Sequence, residues 1–368
     1  MNKALFKLML LSMKNLWLLS GLLLSIITAY PQNYKTKNVV LVTLDGYRWQ
    51  ELFYGIDQGL LNSEFTHEKD ALSKDFNDAD LRKQTALLNP FFSKTMEENG
   101  ILLGNRDKKS KVNCTNNMWF SYPGYNEILT GKADDQRLTS NDKIDNPNVT
   151  FLEALNQTAK YKGRVAAFCS WDVFPFIINK TRSDIYVNAG YDTAWHSHLT
   201  ESEKDLNKLQ QETRGYWENV RFDAFTHGYA MEYIKTKKPR IVYIAYGETD
   251  DWAHEGEYDK YIRSAYNTNL YLSEIWTWIQ SDPFYKDKTT MIITTDHGRG
   301  TVPLETWKDH GEKIEGADQI WVAAIGPDIN PKAKTKGQFY QDQVAGTIML
   351  LLGQPWEEGG KAFISIIK

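Results

Sequence analysis

The chain has 368 residues, 42% of them hydrophobic and 24% charged, the composition of a globular protein that can bury one large core and a smaller cap. A formal net charge of -4 leaves no basic footprint for nucleic acid. Cys114 and Cys169 are the only cysteines and form no C-x-x-C pair, which excludes a disulfide-rich scaffold and leaves either one disulfide or two buried thiols.

In chain order, an apolar run at 16–29 follows Lys3, Lys7 and Lys14 and gives way to a polar stretch. It is too short for a comfortable membrane span and fits the hydrophobic segment of a signal peptide cleaved after Ala29, with Met13 as an alternative start. The expected mature chain is one domain over 30–368, exported to the periplasm or the extracellular space. It would touch a membrane only if the leader stayed uncleaved. Strand signals follow at 38–44, 101–103, 164–170, 240–246, 290–295 and 319–325, short Val- and Ile-rich runs bounded by polar residues or glycine. Helical spacing lies between them at 90–99, 125–129, 151–159, 203–214, 221–236, 260–280 and 341–352. This alternation predicts an α/β fold with a doubly wound, mostly parallel central sheet and helices on both faces. Two polar stretches, about 50–88 and 181–215, break the pattern and read as small cap insertions at the sheet edge, where selectivity is usually built.

Three predicted strands run into acidic residues with histidines nearby. Asp45 closes the first in Leu44-Asp45-Gly46, Asp250 and His254 follow the fourth, and Asp296-His297-Gly298 follows the fifth, with His310-Gly311 a loop later. Strand ends of this kind are the ligand-binding edge of an open α/β sheet. Asp250 and His254, four apart on a helical turn, face the same way and can chelate one ion. Asp296 and His297 sit at a turn sharp enough to aim both inward, Asp45 can reach the same edge, and His310 supplies a further nitrogen. Two cations, each with about three protein ligands and open positions, suit such a set. Mixed oxygen and imidazole ligands without thiolate point to Zn²⁺, with Mn²⁺ as the alternative.

Ser121 is the candidate nucleophile, in Trp119-Phe120-Ser121-Tyr122-Pro123-Gly124. Pro123 can open a helix, placing Ser121 just before an N-terminus whose free N–H groups and dipole favour an anionic phosphate. A nearby cation is one means of ionising its hydroxyl. In isolation Ser121 would read as a plain N-cap, and the metal-type motifs reverse that preference. Asp251 is out of phase with the Asp250/His254 pair and is expected to face solvent or lie behind the ligands. Arg48 and Arg299 are each either phosphate ligands or structural ion pairs, His67 and His227 read as structural, and His196-x-His198 reads as a surface or lid pair, with metal binding on a strand as the alternative.

The ordered set Leu44-Asp45-Gly46, Ser121-Tyr122-Pro123-Gly124 with Thr130-Gly131, Asp250-x-x-x-His254, Asp296-His297-Gly298 and His310-Gly311 resembles the alkaline phosphatase superfamily over about 38–353. It is most similar to the nucleotide pyrophosphatase/phosphodiesterase and cofactor-independent phosphoglycerate mutase branch. The resemblance implies one metal held by Asp250, His254 and His310 and a second held by Asp45, Asp296 and His297, with Ser121 bridging. It also implies an asparagine on the phosphoryl oxygen, for which Asn141 is the nearest match. The diesterases of that branch carry threonine-aromatic-proline-asparagine at the nucleophile. Here the hydroxyl carries over and the asparagine does not, since Gly124 takes its place. A formylglycine sulfatase would need arginine where Tyr125 stands, and the mutases are mainly cytoplasmic with a large inserted domain.

The expected function is therefore an exported, metal-dependent phosphoesterase acting on small phosphate mono- or diesters through a phosphoseryl intermediate. A mutase-like phosphotransferase and a non-catalytic phospho-ligand binding protein of the same fold are the alternatives. The complete ligand set favours an enzyme.

Overall fold

Every residue of Asn38–Leu44 is buried, so this strand needs cover on both faces and belongs at the middle of a sheet. Its alternate side chains part accordingly. Val39 and Leu41 pack into one core, and Val40, Val42 and Leu44 into a second. The computed structural model describes residues 33–213 and 215–368, and the expected leader at 1–29 lies outside them.

The strands are β1 (Asn38–Leu44), β2 (Gly100–Leu103), β3 (Ser110–Asn113), β4 (Val165–Cys169), β5 (Tyr186–Ala189), β6 (Ile241–Tyr246), β7 (Thr289–Thr294), β8 (Gln319–Ile320), β9 (Val322–Ile325) and β10 (Gly337–Tyr340). Seven of them form one sheet in the order β2-β9-β7-β1-β6-β4-β5, and β10-β3-β8 form a smaller one. The large sheet is parallel from β7 to β5, while β9 and β2 add antiparallel at one side. The helices Ser121–Thr130, Phe151–Asn156 and Gln343–Leu351 cover the Val39 face. The long helices Asp223–Lys237 and Tyr258–Ser281 cover the Val40 face. This is the doubly wound arrangement that the strand–helix alternation predicts.

The differences have local causes. The expected strand at 319–325 divides at Trp321: β8 pairs with β3 in the small sheet, and β9 pairs with β7 in the large one. The Trp321 indole pins the crossing, donating from Nε1 to Tyr47 O at 2.8 Å and meeting Tyr47 and Phe92 edge-on. β3 and β10 are short and partly exposed, so they lack an apolar run to announce them. β5 lies within 181–215 and forms the edge of the main sheet beside β4. The helix expected at 90–99 winds as a wider π turn over Phe91–Met96 before Glu97–Asn99. Residues 50–88 contribute short helices, among them Gln58–Leu61 and Leu81–Leu88, which pack against Tyr258–Ser281. Both cysteines are free and buried.

Candidate metal centre and active site

Register brings the acidic motifs to one edge. Leu44 pairs with Tyr246 and Thr43 with Thr294, so the segments leaving β1, β6 and β7 emerge side by side. Asp45, Asp250 and Asp296 therefore converge at the carboxyl ends of three adjacent parallel strands, with β1 between the other two. Glycine makes the approach close enough. Gly46 has φ +56°, and a Cβ there would sit 2.8 Å from Arg299 Nε and 2.9 Å from Asp250 Oδ1.

Two ligand groups form. In each, one donor atom per residue lies within 4.8 Å of the others: Asp45, Asp296 and His297 in one, Asp250, His254 and His310 in the other. In the first, His297 Nε2 is 3.3 Å from Asp45 Oδ1 and 3.4 Å from Asp296 Oδ2. These two carboxylate oxygens are buried and accept no hydrogen bond. The other oxygens are occupied, Asp45 Oδ2 by Tyr125 Oη at 2.7 Å and Asp296 Oδ1 by Gly46 N at 3.1 Å. His297 Nδ1 donates to Gly298 O at 2.9 Å, which leaves the Nε2 lone pair facing the carboxylates. In the second group His254 Nε2 lies 3.2 Å from Asp250 Oδ2 and 3.0 Å from His310 Nε2. His310 Nδ1 donates to Trp119 O at 3.2 Å, again freeing Nε2. Ligands bound at ~2.1 Å around one tetrahedral cation stand about 3.4 Å apart. These separations and the orphaned oxygens fit a divalent cation in each group.

The electrostatics call for the same charge. Burial, then the neighbouring Asp250, push the Asp45 carboxyl well above its ordinary range, and burial with Asp45 does so at Asp296. At Asp250 burial is outweighed by the Arg299 guanidinium and then by His254, which hold the carboxyl well below. Arg299 is itself buried, paired with Asp250 Oδ1 and donating from Nε to Gly46 O at 3.2 Å and from Nη1 to Lys308 O at 2.7 Å. It is a structural ion pair that aims a ligand, the second of the two roles the sequence allows it. Burial, reinforced by His297, drives His310 well below the usual imidazole range and keeps it neutral.

Ser121 opens the helix Ser121–Thr130, one position later than an N-cap. Phe120 occupies the cap position and makes no side-chain capping bond. Pro123, in the first turn, has no N–H to leave unsatisfied. The Ser121 hydroxyl is thus free of capping duty and lies 3.4 Å from His297 Nε2. Gly124 lets this helix start press on the metal loop, because a Cβ there would meet Asp296 O at 2.4 Å. The preceding turn is braced. Trp119 is left-handed at φ +51°, a strained state for a bulky residue, with its N–H and that of Met118 held by Asn116 Oδ1 at 2.9 and 3.2 Å. Asn116 is anchored in turn by Glu127, which accepts from its N at 2.8 Å and its Nδ2 at 2.7 Å.

Beside Ser121 lies a cavity of about 190 Å³, lined on the ligand side by Asp45, Asp250, His254 and His310. Asn141 lines it too, its Oδ1 accepting Tyr122 N–H at 2.9 Å. Trp171, Asn219, Val220 and Asp251 also line it. Asp251 thus faces the cavity rather than open solvent, its carboxyl pushed up to about 9 by burial and by Asp250 and Asp45. No described residue of 50–88 or 181–215 lines the cavity. Arg48 is a structural ion pair, 3.0 Å from Glu51 and 3.3 Å from Asp57. His227 is buried between Tyr246 and Glu274, and His196 pairs with Glu203. Tyr125 and Arg299 are the orienting residues that motif reading passes over. Tyr125 lies one helical turn beyond Ser121, a spacing that carries the signal.

No protein-family profile matches the sequence, and no curated protein sequence does. Solved structures do match. The alkaline phosphatase PafA superposes with a TM-score of 0.55 at 10% identity over 91% of this chain and 99% of that one. The lipoteichoic acid synthase LtaP from Listeria monocytogenes gives 0.54 at 11% identity, over 92% and 79% of the two chains. An inactive variant of murine ectonucleotide pyrophosphatase/phosphodiesterase 5, in complex with AMP, gives 0.52 at 11% identity over 90% and 100%. With the strand order and the motif-bearing strand ends already placed, these superpositions identify the fold as that of the alkaline phosphatase superfamily.

Proposed function

We propose that the protein is an exported, metal-dependent phosphoesterase that hydrolyses small phosphate esters through a phosphoseryl intermediate on Ser121. The observation that carries this reading is the uncapped Ser121 hydroxyl, 3.4 Å from His297 Nε2 and lining a cavity that Asp45, Asp250, His254 and His310 also line. Asp250, His254 and His310 would hold one divalent cation and Asp45, Asp296 and His297 the other, zinc by the donor set and manganese as the alternative. When bound, the pair supplies positive charge to the attacking and leaving oxygens of an in-line displacement.

The remaining chemistry belongs to the chain. Ser121 loses its proton to solvent, Oγ bonds to phosphorus as the bond from phosphorus to the ester oxygen breaks, and the departing oxygen takes a proton from solvent. Water then cleaves the Ser121–phosphorus bond and regenerates the hydroxyl. Asn141, with its Oδ1 fixed by Tyr122 N–H, has Nδ2 to offer a phosphoryl oxygen. Tyr125 and Arg299 keep Asp45 and Asp250 in place, so that little reorganisation accompanies the reaction. The AMP bound by one structural relative agrees in kind with a small phosphorylated substrate.

The test is metal content together with nitrophenolate release from p-nitrophenyl phosphate and bis(p-nitrophenyl) phosphate, with and without added Zn²⁺ or Mn²⁺. Hydrolysis of at least one ester by metal-loaded protein is expected. Bound metal without turnover of either would favour a binding protein, and failure to bind metal would remove the reading. N-terminal sequencing of native protein is expected to begin near Tyr30, whereas a soluble cytoplasmic protein still beginning at Met1 or Met13 would refute export.

A further inference from the structure

The part of the cavity lining that Trp171, Asn219 and Val220 supply is a built surface. Trp171 and Val220 form an antiparallel bridge, flanked by Asp172 N to Asn219 O at 3.0 Å and Arg221 N to Ser170 O at 3.0 Å. Fully buried Arg221 locks this ladder, donating to Thr226 Oγ1 at 2.8 Å, Asp192 O at 3.2 Å and Asn188 O at 3.3 Å. The Asp223 carboxylate joins it to the end of β6, accepting from Ser170 Oγ at 2.6 Å, Gly247 N at 2.8 Å and Glu248 N at 3.2 Å. Selectivity needs contact groups held by rigid elements, and this wall meets that condition.

Its composition speaks to the substrate. Among the described residues the cavity lining contains no lysine or arginine. A monoester would turn a further anionic oxygen toward this wall, where the cationic partners that such oxygens favour are missing. A diester would place an organic substituent there instead. The wall offers an indole, an amide and a carboxyl, and the Asn219 and Asp251 side chains form no hydrogen bond with the described residues. An aromatic face suits C–H surface, while the amide and carboxyl suit hydroxyls. A carboxyl serves a hydroxyl in either protonation state, accepting when ionised and also donating when protonated.

We propose, building on the phosphoesterase reading, that the cavity takes a phosphodiester whose second substituent bears hydroxyl groups. Trp171, Asn219 and Asp251 hold that substituent, and Asp251 sets the preference for it. The matched probes are 2,3-dihydroxypropyl p-nitrophenyl phosphate and propyl p-nitrophenyl phosphate, which share a leaving group and differ in the hydroxyls alone. Wild-type protein is expected to favour the dihydroxypropyl ester by roughly tenfold or more in kcat/KM, and to favour it over p-nitrophenyl phosphate. In Asp251→Ala the ratio of the two diesters falls to near one, and Asp251→Asn, which keeps hydrogen-bonding atoms, retains part of it. A wild-type ratio near one, a preference for the monoester, or a ratio that survives Asp251→Ala would overturn the proposal. Damage to the neighbouring Asp250 would lower both rates together and leave the ratio intact, which also counts against it. Hydrolysis of none of the three esters would instead defeat the phosphoesterase reading, and this inference with it.

Discussion

Replacing Tyr125 with phenylalanine removes one oxygen atom from the centre of the site. The phenol donates to Asp45 Oδ2 at 2.7 Å, and both residues are buried, Tyr125 completely and Asp45 to 5% exposure. Burial, next to Asp296 and Asp45, pushes the Tyr125 hydroxyl well above its ordinary range, so it stays protonated and remains the donor. With that bond in place, Asp45 presents Oδ1 toward His297 Nε2 at 3.3 Å, the geometry a shared cation requires. In Tyr125→Phe the Oδ2 atom loses its donor in a place where water cannot readily replace it. A hydrogen bond to a charged group contributes roughly 1.5–3 kcal/mol. Loss of an orienting partner behind a metal ligand typically weakens binding about 10–100-fold, or about 1.4–2.8 kcal/mol at 1.4 kcal/mol per tenfold. The two figures agree, so the ion held by Asp45, Asp296 and His297 is expected to bind about 10–100-fold more weakly. The ion at Asp250, His254 and His310 should change far less, because no ligand of that group touches Tyr125. Competition titration against a chromophoric chelator resolves the two affinities, with near-ultraviolet circular dichroism as the check on folding. Wild-type affinity for both ions in Tyr125→Phe would refute the account of how Asp45 is aimed.

Three further outcomes are expected. Ser121→Ala should lose on the order of a thousandfold or more in kcat and keep its metal. It should lose about 0.5–1.5 kcal/mol of stability, since Ser121 is buried and makes no capping bond, and among the described residues its hydroxyl meets only His297 Nε2. Ser121→Thr should retain part of the activity, and a trapped phosphoenzyme should map to the peptide containing Ser121. His254→Ala and Asp296→Ala should each lower bound metal by one equivalent in elemental analysis, one from each ligand group. Gly124→Ala forces a methyl to within 2.4 Å of Asp296 O. It should cost about 1–3 kcal/mol in urea unfolding and reduce turnover as Ser121 is pushed from the metal loop.

The parts of this molecule legible in the sequence are those written contiguously. β1, β6 and β7 are short runs centred on Val, Ile and Leu, and each motif begins within four residues of the end of one, so strand and ligand are read together. The Asp250/His254 pair is legible because helical spacing alone fixes its geometry. β3, β5 and β10 are only 4 residues long each and exist through pairing with partners remote in sequence, so no local period marks them. Asp251 shows where spacing alone runs out. Its phase relative to Asp250 and His254 turns it away from the ligands and leaves two readings, open solvent or a position behind the ligands. The strand order β1-β6-β4 puts the β4 end on that side, with Trp171 and, through the Arg221 lock, Asn219.

That same strand order divides the labour at the site. β1, at the switch of the sheet, stands between β7 and β6 and brings the two ligand groups together. β4, one strand beyond β6, can reach the cavity and not the ligands. On the proposed function, changes at the β4 end would therefore alter how a substrate is held without touching the two candidate ligand groups. Tyr125, Arg299 and Gly124 have no such freedom, since each is in contact with a metal ligand: Asp45, Asp250 and Asp296 in turn. Substitutions at Trp171 or Asn219 should accordingly shift preference among esters while metal content stays at the wild-type level. Substitutions at Tyr125 or Arg299 should lower metal content and activity on every ester alike. Measuring metal and ester preference on the same four variants separates residues that line the cavity from residues that hold the candidate ligands in place.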